Sequence, residues 1–258
     1  MLKSMRHITS LLAGVLGAFL VVGGLGCEGD NPPPTPPETK KAPEVKKVPA
    51  GKNITICIQG DKRFVQVETV VCLREGALEQ LLTRKGTKEH EAILSADIDA
   101  RDLHKALLAT GAEPGSPVQY QPRFKAPSGP TVKVSVQWEE KGKLRTEPAQ
   151  KWVQNEMTKK ELKSDWVFAG SRFIKNPEEG KPDYYLANDG DVICVANFES
   201  ALLDLPFNSS KVDAERSFVA FTERIPPKDT KVLLILEPLV EKMDTKPAPK
   251  KPVPDPDK

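Results

Sequence analysis

Over residues 132–138 apolar and polar side chains alternate with a period of two: Val132, Val134, Val136 and Trp138 fall on one face, Lys133, Ser135 and Gln137 on the other. That is the signature of a strand with one buried face, and Gly142 in Lys141-Gly142-Lys143 predicts that the chain then turns back. Similar runs recur along the chain. Residues 53–58 and 63–73 flank the turn Gln59-Gly60-Asp61-Lys62, with Phe64, Val65, Val67, Val70 and Val71 supplying β-branched and aromatic bulk. Residues 78–83 and 91–95 read as a second strand pair around the polar segment 84–90, and 166–169, 218–221 and 232–236 as further short strands. Residues 184–187 and 191–196 flank Asn188-Asp189-Gly190, which predicts a tight hairpin because Asp-Gly accommodates the positive φ of a type I′ turn.

Helical spacing is scarcer. Asp99 is a capping residue ahead of 100–109, Asp102 stands at the third helical position, Leu103 and Leu107 mark a buried side, and Gly111 stops the run. Pro148 opens a second candidate with Trp152 and Val153 inward, and 199–203 has the length of a single turn. The pattern predicts an α+β fold, a strand-dominated single domain with two or three short helices.

The flanks have another character. Residues 8–26 carry no charge, follow a head with Lys3 and Arg6, and end in small residues before Cys27. This resembles a bacterial lipoprotein signal, in which an extended, unhindered backbone is cleaved and the Cys27 thiol is acylated. The competing reading is an uncleaved anchor, since these nineteen residues match the length of a membrane span, although five of them are glycines. Either way the remaining chain is expected outside the cytoplasm and tied to a membrane. Glu28 after the cysteine favours the outer membrane, by likeness to lipoprotein sorting signals. Residues 31–50 include seven prolines among lysines and glutamates, a composition that favours extended spacer. Residues 241–258, with five prolines, repeat it. The organisation expected is therefore a signal peptide over 1–26, a lipidated Cys27 and disordered linker over 27–50, a folded domain over 51–240 and a disordered tail over 241–258.

Charge narrows the function. Six basic and four acidic residues precede Gly51 and five and four follow Val240, so the domain between them holds 27 basic against 28 acidic. A body so balanced lacks the electrostatic footprint of a nucleic-acid binder. With Cys27 set aside, Cys57, Cys72 and Cys194 remain, an odd number without a C-x-x-C, so at least one thiol stays free; a Cys57–Cys72 disulfide is the pairing considered. No glycine loop suited to phosphate follows a strand, and Ser171 lacks the second glycine of a nucleophile elbow. His90, between Glu89 and Glu91, and His104, after Asp97, Asp99 and Asp102, could supply nitrogen and oxygen ligands to a divalent metal, but not at the spacing of a metalloprotease helix or a calcium loop. Residues 197–210 mix apolar and small polar residues without a clean period, as the lining of a groove or an irregular crossover would.

Four ordered strings carry a resemblance. Gly86-Thr87-Lys88-Glu89-His90-Glu91-Ala92-Ile93-Leu94, then His104-Lys105-Ala106-Leu107-Leu108 with Gly111-Ala112-Glu113-Pro114-Gly115, then Trp166-Val167-Phe168-Ala169-Gly170-Ser171, and finally residues 197–210 are together similar to the YdjY-like domain, over about residues 53–238. The resemblance brings no assigned reaction. Some members join the domain to cysteine runs that bind iron–sulfur clusters; this chain has no such run, and no cofactor is expected. Because the strings include His90, His104, Ser171 and Asp204, these are the ligand or metal candidates, with Glu89 and Glu91. Two functions follow as expectations: non-catalytic binding of an envelope protein or small ligand by a membrane-anchored lipoprotein, or a metal-dependent or redox-accessory envelope enzyme using His90, His104 and nearby carboxylates.

Overall fold

A computed structural model describes residues 44–210 and 215–240. The leader, Cys27, the linker as far as residue 43 and the tail from 241 onward lie outside the described residues. The chain opens with three antiparallel strands, β1 (Lys46–Gly51), β2 (Ile54–Gln59) and β3 (Lys62–Val71), the last two joined at Gly60 with φ 59°. β1 begins inside the segment read from its prolines as linker. It is an edge strand, and Lys46, Lys47 and Pro49 are what an exposed edge tolerates.

β4 (Ala77–Leu78), β5 (Gln80–Arg84) and β6 (Ala92–Ala96) precede the helix α1 (Ala100–Ala109). The expected partners β5 and β6 do pair, but in parallel, with Leu82 opposite Leu94. α1 has the predicted bounds: Asp99 accepts from the Arg101 N–H at 2.9 Å, Leu103 and Leu107 are buried, and Gly111 follows with φ 96°. β7 (Thr131–Glu140) buries Val132, Val134, Val136 and Trp138 as the alternation requires, and turns through Lys141 and Gly142, both at positive φ, into β8 (Lys143–Pro148). A 3-10 turn over Ala149–Trp152 leads to β9 (Val153–Asn155), followed by β10 (Trp166–Phe168), β11 (Phe173–Ile174) and β12 (Tyr184–Tyr185). β13 (Ile193–Cys194), β14 (Leu203–Asp204), β15 (Phe218–Ala220) and β16 (Lys231–Pro238) complete the chain.

Eight of these strands close on themselves. Register partners share a face, so a circuit can be walked through buried side chains: Val71 to Leu94, Leu82, Ile193, Leu203 and Phe168, then Trp166 to Val132 on β7, and through β16 back to β3. Next to it, Val65, Leu236 and Val134 form a second buried row. An eight-stranded ring has an interior that side chains alone can fill, and here they do. The α+β expectation is therefore corrected to a mostly β fold, a closed barrel with a single α-helix among the described residues. The other two expected helices fail for physical reasons. Pro148 is followed by only one 3-10 turn before Val153 is drawn into β9, and Leu203 of the 199–203 segment is a rung of the barrel.

The hairpin predicted around Asn188-Asp189-Gly190 is not formed either. β12 pairs with β11, β13 lies between β5 and β14, and residues Leu186–Asp189 make a 3-10 turn ended by Gly190 at φ 120°. Tertiary bonds claim the turn residues: Asn188 Oδ1 accepts from the Ala100 N–H at 2.8 Å, its Nδ2 donates to Asp99 Oδ1 at 3.1 Å, and its carbonyl takes the Arg84 guanidinium at 2.7 Å. Asn188, the first residue of the expected turn, instead docks the start of α1.

Candidate functional site

The return loop between β5 and β6 is built by its own polar residues. Gly86 turns at φ 80°, Glu89 accepts the Gly86 N–H at 3.0 Å, and the Thr87 hydroxyl donates to the Arg84 carbonyl at 2.6 Å. This aims Lys88 inward. Its ammonium lies 2.9 Å from Asp191 Oδ1, 3.8 Å from Glu79 and 4.6 Å from the Phe198 ring centroid. Asp191 is itself buried, and it also accepts from Gln80 Nε2 at 2.9 Å and from the Ser200 hydroxyl at 2.5 Å. Burial alone would depress the Lys88 pKa, but the hydrogen bond and charge of Asp191, with Glu79 behind it, outweigh that and raise it.

Asp204, on the outer side of β14, is fully buried. It accepts from Asn197 Nδ2 at 2.9 Å and from the backbone N–H groups of Leu205 at 2.8 Å and Phe198 at 3.3 Å. Burial nonetheless drives its pKa well above the ordinary carboxylate range, against those donors. Asn197 in turn accepts the Ser209 N–H at 2.8 Å and is tied through its carbonyl to the Tyr120 hydroxyl at 2.9 Å. Residues 197–210 are thus a crossover pinned by side-chain amide bonds.

His104 and Ser171 belong to a third cluster, joined by Tyr185. Gly170 at φ 91° and Ser171 at φ 55° wrap the chain after β10, where a Cβ on residue 170 would come within 2.6 Å of Pro114 Cβ. The Tyr185 hydroxyl donates to the Gly170 carbonyl at 2.9 Å, which leaves its oxygen to accept from His104 Nδ1 at 2.8 Å. That bond assigns the imidazole its tautomer, hydrogen on Nδ1 and a lone pair on Nε2. The ring sits edge-on to Phe168 and Tyr185, with centroids 5.0 and 5.6 Å away, and burial lowers its pKa, so it is neutral at pH 7. Ser171 donates its hydroxyl to the Ser200 carbonyl at 2.6 Å and accepts the Ala187 N–H at 3.0 Å.

The candidates therefore separate. His90 projects from the return loop with 75% of its side chain exposed, 3.8 Å from Glu91, while His104 is held by Tyr185, and the two share no partner. Among the described residues no group of three or more His, Cys, Asp or Glu side chains is placed to hold a metal. Cys57, Cys72 and Cys194 are free thiols; burial raises the pKa of all three, that of Cys72 to about 11, and the Cys72 thiol donates to the Ala92 carbonyl at 3.0 Å. What sequence reasoning missed are Lys88, Asp191, Asn197 and Tyr185, the residues that organise the three clusters. For Asp191 a signal existed: a carboxylate directly before the apolar run 192–196 has little room to reach water.

One concavity opens on the outer side of the barrel wall, about 520 Å³, with Val70, Leu144 and Leu233 between Glu68, Glu139 and Lys231. The fold and its clusters define a class: a closed β-barrel domain whose signature polar residues knot its loops to its wall. A family model, the YdjY domain, matches residues 52–237, and the chain belongs to that family. No curated protein and no solved structure matches it.

Proposed function

We propose that this is a membrane-tethered envelope lipoprotein whose YdjY domain binds a partner or small ligand without performing chemistry on it. The observation that supports the reading is the saturation of the family strings. Ser171 spends both sides of its hydroxyl on backbone groups, Asp204 takes three donors, and Lys88 is held by Asp191, a residue outside the strings that also takes Gln80 and Ser200. A nucleophile needs a base in reach and a face open to substrate, and none of these groups has both. Binding asks for less: the cleft of about 520 Å³ beside Val70, Leu144 and Leu233 lies within the size range of ligand sites, with apolar walls and a few charges at its rim. Tethering through Cys27 would raise the local concentration of such a module at the membrane without any reaction.

The anchor is testable on the full chain. Expressed in a bacterium with a lipoprotein export pathway, the protein is expected in the membrane fraction with its N-terminal peptide beginning at Cys27 and carrying diacylglyceryl and acyl mass. Cys27→Ser is expected to move it out of that fraction. Unprocessed protein recovered from the cytosol would refute the anchored reading.

A further inference from the structure

Between α1 and β7 the chain makes a small arm with no place in the barrel. Two isolated bridges hold it, Ser116 with Ser128 and Gln119 with Lys125, the second closed by backbone bonds of 3.0 and 2.8 Å. Its tip is Tyr120-Gln121-Pro122-Arg123-Phe124-Lys125, and every one of these residues is exposed. Two aromatic rings stand there 6.1 Å apart, Tyr120 at 45% and Phe124 at 40% exposure, well out of keeping with their size. The tip also contains two cations and no acid. Glu199, on the nearby crossover, is already held by Arg172 at 2.9 Å, and Asp204 is sealed in its cage, so Arg123 and Lys125 are without a carboxylate partner among the described residues. The arm is nevertheless fixed in place, because the Tyr120 hydroxyl is bonded to the Asn197 carbonyl at 2.9 Å.

We infer that this tip is a contact for an anionic lipid surface, with Phe124 and the Tyr120 ring entering the headgroup region and Arg123 and Lys125 meeting phosphate oxygens. Aromatic side chains, Phe included, are favoured on faces that enter the headgroup boundary of a bilayer, and cations beside them are attracted to anionic headgroups by about fivefold in affinity each. An acidic protein surface would meet the same two cations, but only contact with lipid makes the tip's environment follow the headgroup charge of a bilayer. The inference deepens the tethered reading: Cys27 would hold the chain at the membrane, and the tip would decide which way the barrel faces once there.

A fluorescent amino acid at position 121 of the full chain, read against an excess of vesicles, tests this. With phosphatidylcholine containing about one-third phosphatidylglycerol the emission is expected to shift to the blue. The shift should be absent in phosphatidylcholine alone, weaken with salt, and, in the Cys27→Ser chain that no acyl group holds to the vesicle, require more than tenfold as much lipid in Arg123→Glu/Lys125→Glu or in Phe124→Ser. An emission that ignores lipid charge, or that moves only when an acidic protein is added, overturns the inference. Flotation with phosphatidylcholine alone, which the tip does not bind, reads the acyl anchor separately, so a chain that floats there while its probe stays silent on anionic vesicles refutes the tip alone. A probe shifted on anionic vesicles in a chain that does not float with phosphatidylcholine refutes the anchor alone.

Discussion

Asp99, half-buried, and Asp204, fully buried, pull stability in opposite directions with pH. Asp99 is held below its ordinary range, chiefly by the hydrogen bond from Arg101, so its contribution is present above about pH 4 and is lost as pH falls. Asp204 is raised by burial. Its unfolded carboxyl releases a proton near pH 3.9 while the folded one keeps it to higher pH, so stability falls as pH rises through that interval. Asp204→Asn removes the titration and costs a pH-independent amount for the acceptor lost by the Phe198 N–H. In denaturant titrations between pH 3 and 7 the variant should gain on the parent steadily as pH rises, the Asp99 slope cancelling in the difference; parallel profiles would mean that Asp204 is not the buried acid described. Neither behaviour was legible in the sequence. Asp204 stood out only through a family string, and what surrounds it comes from Asn197 and a crossover whose path no local pattern encodes. His104 shows the same limit: its tautomer depends on Tyr185, eighty-one residues away.

Local rules work where an element's own residues decide its form. α1 was legible to the residue because its cap, its buried side and its stop are all within its own sequence, and β7 because its alternation is undisturbed. They fail at residues 184–196, where the Asp-Gly signal is real but the neighbours are not local. Gly190 does take a positive φ of 120°, yet it does so with the Thr87 and Thr83 hydroxyls placed 2.6 and 2.7 Å from where a Cβ would stand. Gly190→Ala therefore combines a strained backbone with a collision against the loop that carries Lys88, and should cost about 2 kcal/mol or more. A domain of this size would lose on the order of 4–8 °C in melting temperature. A loss below 1 °C would show that the turn is free of the loop, as a surface hairpin would be.

At the scale of the whole molecule, ring closure was the feature furthest from reach. Seven of the eight ring strands were recognisable and β14 was not, because 199–203 reads as a helical turn; the circuit further depends on pairings such as Ile193 with Leu82 and Val71 with Leu94 whose register is settled only when all eight strands meet around one interior. Closure also explains why the family strings hold so many polar residues. A barrel this small fills its inside with side chains, so its loops must be fastened from outside, and Lys88, through Asp191, and Ser171, Asn197 and Asp204 do so. Functional sites are commonly drawn from the least stable parts of a fold, whereas fastenings open only when the fold does. Amide hydrogen exchange on the full chain separates the two most directly. Peptides spanning residues 85–91, 166–171 and 197–205 should exchange with the same opening free energy as the barrel strands β7 and β16; independent opening of any of the three at much lower free energy would contradict the account and return that segment to the list of working sites.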